Sequence, residues 1–148
     1  MILFLDFDGV LHPAVNYNDA LLLCKLPLVE DVLRRRPAVS VVISSTWRDT
    51  RTLPDLRAFF SADVAPRIID LTPAWRDVQD DEHFGAYVRQ AEIEAWLRTT
   101  GRAWEEWVAV DDQPHLFKPF CKNLLTTNPA TGLTEADCNV LALRLSAP

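Results

Sequence analysis

A chain of 148 residues that is 49% apolar and 24% charged has the balance of one compact globular domain spanning residues 1–148, able to bury roughly two-thirds of its unfolded surface, and leaves little room for a second. Its formal charge of -6 and pI near 5.0 exclude a broad basic nucleic-acid-binding surface, so only a local phosphate site stays open. No apolar run approaches the ~18 residues that span a bilayer, which argues against a membrane partner.

In chain order, the run at 2–7 reads as a short strand. Nothing resembling a basic leader or a cleavage site precedes it, so a cytoplasmic protein is expected. "LPLVEDVLRRR" (26–36) has apolar residues at helical spacing and a basic last turn, and Pro37 stops it. A second strand follows at 39–44. "PDLRAFFSA" (54–62) places Pro54 near a helix start. A third strand is expected at 67–71, then a helix over "VRQAEIEAWLRTTG" (88–101) that Gly101 ends. The fourth strand occupies 107–110, and a weaker fifth, 123–127, follows a loop holding Pro114 and Pro119. "TEADCNVLALRL" (134–145) opens with Thr134, suited to be an N-cap. Strands alternating with helices predict βαβ units and an α/β fold with a central parallel sheet of about five strands. The cysteines Cys24, Cys121 and Cys138 are odd in number and form no C-x-x-C pair, which fits a reducing compartment and buried free thiols better than a disulfide framework or a zinc site.

Parallel strands bring their carboxyl ends to one edge, where open α/β sheets bind ligands. Asp6 and Asp8 end the first strand, Ser44 the second, and Asp111 with Asp112 follows the fourth. Carboxylates gathered from distant segments repel one another and are costly to desolvate, so the pattern makes sense chiefly around a cation. Oxygen-only ligands favour a hard ion, Mg²⁺ above all, which also takes up substrate phosphate. For any single Asp here, an N-cap or turn role is the alternative.

"DFDGVL", then "VVISS", an Arg-led helix and "VAVDD" resemble the four ordered motifs of the haloacid dehalogenase-like (HAD) superfamily, in its Mg²⁺-dependent phosphatase branch. The resemblance spans most of the chain. Through "SSTWR", "DLTP", "RQAEIEAWL", "VAVDDQP" and "TGLTEAD" it is nearest to small bacterial and phage HAD-domain proteins related to the phosphatase-like domains of RNA repair systems. It implies a three-layer Rossmann-like fold and a phosphomonoesterase working through an aspartyl-phosphate. Asp6 would be the nucleophile. Asp8 would protonate the leaving oxygen and then activate water, while its main-chain carbonyl helps to hold the metal. Gly9 would permit a sharp turn and leave room for the phosphoryl group. Ser44 would donate its hydroxyl to a phosphoryl oxygen. Arg89 stands where the family places a Lys, still cationic but bulkier, with a solvent-facing helix residue as the alternative. Asp111 and Asp112 would complete a metal site formed with Asp6 and Asp8. An acid at Asp8 also favours phosphoryl transfer over dehalogenation, which needs no protonated leaving oxygen.

Ser45 reads as a strand end running into a turn, and it stands with Gly9 and Arg48 among the candidate substrate contacts. Trp47 and Arg48 either brace the next loop or reach the substrate. Gln113 and His115 are expected near the crevice, but His12, His83 and His115 are left outside the catalytic set. The insertions at 12–27 and 72–87 are too short for a cap domain with its own core, which predicts an open site flanked by flaps. Such a site suits a nucleic-acid end or a small phosphomonoester. Trp75 and Arg76 could stack on a base and pair with phosphate, whereas "DVQDDE" beside them would repel a backbone. The alternative function is a weakly active or non-catalytic HAD-fold domain that binds a metal or a partner protein.

Overall fold

The structure, a computed structural model, describes residues 1–78 and 85–146. The five strands are β1 (Ile2–Leu5), β2 (Ser40–Ile43), β3 (Ile68–Leu71), β4 (Trp107–Asp111) and β5 (Leu124–Thr126). They form one parallel sheet in the order β3-β2-β1-β4-β5. The four α-helices are α1 (Leu26–Arg35), α2 (Leu53–Arg57), α3 (Val88–Thr99) and α4 (Glu135–Arg144). The chain fills the sheet outward from β1 to β3, then crosses back to place β4 on the other side of β1. The strand order therefore reverses between β1 and β4, the point at which open α/β sheets leave a crevice.

Strand periodicity divides the core. Leu3 and Leu5 of β1 join Val29, Val32 and Leu33 of α1, Leu56 of α2 and Leu141 of α4 on one face. Ile2 and Phe4 turn to the other face against Ile93, Trp96 and Leu97 of α3. Phe4 meets Trp96 and Trp107 edge-on, with ring centroids 5.6 and 5.8 Å away. Helices on both sides of a buried parallel sheet give the three-layer, Rossmann-like arrangement that the sequence predicts.

Most boundaries differ from the sequence reading by a residue or two. The helix expected over 54–62 is shorter, because a Thr52–Asp55 capping box starts it at Leu53 and the Ser61 backbone and hydroxyl instead donate to Glu30. Arg67 is not a strand residue. It lies in a 3-10 turn, and its guanidinium binds the carbonyls of Leu33, Arg36 and Val39. Of the three free cysteines only Cys138 is buried, and Cys24 is exposed. Among the described residues, the insertion after β1 holds one 3-10 turn, Asp19–Leu21, and that after β3 another, Trp75–Asp77. His83 and residues 79–82 of the acidic stretch lie outside the described residues. No helix among the described residues is long and apolar enough to cross a membrane.

The segment after β5 fastens the loop that follows β1. Thr127 Oγ1 donates to the Gly9 carbonyl at 2.7 Å, and the Leu133 amide donates to the Val10 carbonyl at 2.8 Å. Gly132 makes this approach possible: with φ at +70°, a Cβ there would lie 2.7 Å from the Val10 carbonyl oxygen. Gly132→Ala should therefore add left-handed strain to a backbone collision, costing about 1–3 kcal/mol. A thermal melt should read this as a fall of several degrees, and an unchanged midpoint would show that the two loops are not so joined.

Candidate active site

Asp6 lies just past β1, and its amide still donates to the Val110 carbonyl of β4 at 3.1 Å. Phe7 then points into the core, while Asp6 before it meets Asp111 and Asp112. The chain doubles back with the Val10 and Leu11 amides on the Phe7 carbonyl. Gly9, at φ +69°, occupies the bend, and a Cβ on it would fall 2.4 Å from Asp112 Cγ. The space that glycine leaves thus belongs to Asp112.

Asp6, Asp111 and Asp112 each present an oxygen, all within 4.8 Å of one another. The Phe7 amide donates to Asp6 Oδ1 at 2.8 Å, and the neighbouring Ser45 side chain favours the charged form of Asp6. The Gln113 amide donates to Asp111 Oδ1 at 2.8 Å. Asp111 Oδ2 and Asp112 Oδ1 are buried with no hydrogen-bond partner. Burial raises the carboxyls of Asp6 and Asp112 above the usual range. Asp111 is pushed up to about 7, first by burial and then by the Asp6 charge. Orphaned, crowded, oxygen-only donors fit a hard divalent cation, which would pair the free oxygens and cancel the repulsion.

The fourth expected acid does not join them. The Asp8 carboxylate turns aside, with Oδ1 3.0 Å from His12 Nε2 and Oδ2 accepting from Trp47 Nε1 at 3.0 Å. Three side chains converge rather than four, which leaves Asp8 only its main-chain carbonyl as a candidate ligand.

Arg89, in the first turn of α3, is 4% exposed, and this excludes the solvent-facing alternative. Its Nε lies 3.3 Å from Asp111 Oδ2, a charge contact without hydrogen-bond alignment, and 4.0 Å from Glu92 Oε2. Arg89 Nη1 is buried with no hydrogen-bond partner. Arg48 is bound elsewhere: its guanidinium donates to Glu92 Oε1 at 2.6 Å and to the carbonyls of Ser44 and Ser45 at 2.9 Å. Glu92 also accepts from the Trp75 amide at 2.8 Å. Arg48 thereby braces the end of β2 against α3 and the second flap.

Ser44 is buried beside Asp6, its amide on the Leu5 carbonyl at 3.0 Å. Ser45 combines two roles, capping the 3-10 turn at Thr46–Asp49 through a bond from the Trp47 amide and reaching Asp6. Gln113 and His115 are exposed. Arg76 is also exposed and pairs loosely with Asp49 at 3.6 Å. The residues that sequence reasoning passed over are His12 and Glu92. His12 read as a lone histidine, although its place four residues beyond Asp8 in a turning loop was a usable signal. Glu92 carries no signal of its own within the helix over 88–101.

A sheet that reverses its strand order beside an acidic trio, two of its members buried, defines a Rossmann-like α/β domain with a cation-ready crevice. The family model for the HAD domain in Swiss Army Knife RNA repair proteins matches residues 2–138, and the chain belongs to that family. Neither a curated protein nor a solved structure matches it.

Because burial lifts Asp111 from 3.8 to about 7, the folded chain binds more protons than the unfolded one between those values, and stability falls as pH rises through the interval. The metal-free protein should melt progressively lower from pH 5 to pH 7, and Mg²⁺ should recover the loss at pH 7. Asp111→Asn should flatten both responses. A pH-independent melt with no response to Mg²⁺ would count against the trio as a cation site.

Proposed function

We propose that this domain is a Mg²⁺-dependent phosphomonoesterase that forms an aspartyl-phosphate on Asp6. One observation carries the reading: a buried Asp6 is grouped with two further acids that have unpaired oxygens, while Asp8, two residues on, is kept apart from them. Asp6, Asp111 and Asp112 would hold the ion, which when bound supplies positive charge against the phosphoryl oxygens.

The chain's own groups account for the rest. An Asp6 oxygen attacks phosphorus as the bond to the leaving oxygen breaks, and Asp8 gives that oxygen its proton. Asp8 then takes a proton from the water that attacks phosphorus, which releases inorganic phosphate and restores Asp6. The bond from the Phe7 amide holds the Asp6 carboxylate in one orientation. The Ser44 hydroxyl is a donor for a phosphoryl oxygen. Arg89 supplies fixed positive charge from behind Asp111, at no reorganisation cost during the reaction.

The family description points to RNA repair, which favours the terminal phosphate of a polynucleotide, and a crevice with no cap domain among the described residues suits so large a substrate. The net charge of -6 limits binding to the end itself. A small phosphomonoester is the competing substrate. Turnover of 5′- and 3′-phosphorylated oligonucleotides beside small phosphate esters, with Mg²⁺ and with excess chelator, tests the proposal. Chelation and Asp6→Asn should each abolish release of phosphate. Persistent turnover of Asp6→Asn would assign the attack elsewhere, and an inert parent protein would leave the non-catalytic, metal-binding reading.

Arg89→Ala should lower turnover on the order of 10²-fold, the loss expected when one stabiliser of transition-state charge is removed. Arg89→Lys should keep a large part of the rate. Unchanged kinetics in Arg89→Ala would remove its charge from the mechanism.

A further inference from the structure

Two rings converge on Asp8 from different segments. His12, 2% exposed, lies in the loop after β1, and Trp47 follows β2. Each aims a ring nitrogen at a different oxygen of the same carboxylate, both at 3.0 Å. The rings pack on one another at 5.8 Å between centroids. Trp47 also packs edge-on against Phe7 and Phe59, with Arg51 stacked 4.4 Å over its face.

Packing alone does not explain this choice of side chains. A phenyl ring would fill the His12 position, whereas His12 brings in a second nitrogen, Nδ1, that is buried with no partner. An unsatisfied buried polar atom is destabilising, so Nε2 and its contact with Asp8 are what distinguish histidine here. The indole of Trp47 can only donate, which fixes the polarity of its contact.

We propose that His12 and Trp47 are positioning residues for Asp8, holding its carboxylate out of the Asp6–Asp111–Asp112 trio so that it stays available to the leaving group. The inference rests on the phosphatase reading above. A carboxylate two residues from Asp6 is drawn toward any cation bound there, and as a metal ligand it would lose the role of proton donor. Met by one ring nitrogen on each oxygen, it keeps a second lone-pair site on each and remains 43% exposed to the crevice. The proton that it delivers to the leaving oxygen therefore has an open route.

The test compares two substrates with Mg²⁺: an aryl phosphate, whose leaving group departs unaided, and an alkyl phosphate, which needs its leaving oxygen protonated. Asp8→Asn sets the scale for complete loss, since acid-base assistance is worth ~10²- to 10⁴-fold. His12→Phe and Trp47→Phe should each reduce kcat on the alkyl phosphate about 10-fold more than on the aryl phosphate, a fraction of that scale. His12→Gln, which returns an N–H donor to the same side of Asp8, should recover most of the difference. Equal losses on both substrates, tracking a lowered melting temperature, would mean a purely structural role and overturn the proposal. Should His12→Phe fail to fold, Trp47→Phe carries the same comparison. An active parent whose variants show no leaving-group effect overturns this inference alone, whereas a parent inactive on both substrates overturns the phosphatase reading and this inference with it.

Discussion

Mutual repulsion among three carboxylates, two buried and the third half-buried, is the constraint around which this domain is arranged. Each is costly to remove from water, and each raises the cost of the others. The sheet brings them together regardless, because β1 and β4 are neighbours at the reversal of strand order and deliver Asp6 and Asp111 side by side. What surrounds the trio offsets that cost. Arg89 faces Asp111, the Phe7 amide bonds Asp6, and Gly9 yields the volume that Asp112 fills.

A second buried charge system lies alongside and works differently. Arg48 and Glu92 are matched to one another and to backbone groups of β2 and the second flap, so their charges are nearly satisfied within the protein. Buried pairs of this kind add little net stability, but removing one partner is severe. Glu92 also lies within reach of Arg89, which ties the position of Arg89 to the braced pair. Geometry in the crevice thus depends on a neighbouring network that need not touch substrate.

The order of elements was legible because each strand is a short apolar run bounded by Pro or polar residues and each long helix carries a stop or a cap. The gathering of Asp6, Asp111 and Asp112 was legible for a topological reason: parallel strands leave their carboxyl ends no other place. Side-chain direction was not. Asp8 has the same spacing rule as Asp6, yet its carboxylate turns to His12 and Trp47, residues separated from each other by an entire helix and strand. Burial of Arg89 and Glu92 was hidden because α3 has no single apolar stripe; it buries polar residues with apolar ones. Arg67 looked like the start of a strand, since nothing local reveals carbonyls contributed by residues 33–39.

The bond from Thr127 to Gly9 joins positions 118 residues apart, and its consequence concerns the order in which the molecule comes into being. Contacts so distant along a chain form late, since closure of the intervening loop must come first. During synthesis Asp6 and Asp8 emerge well before the residues that pin their loop. The crevice therefore acquires its final shape only after the whole sheet has assembled, and a nascent chain stopped short of Leu133 carries the acids without the fastening that sets them.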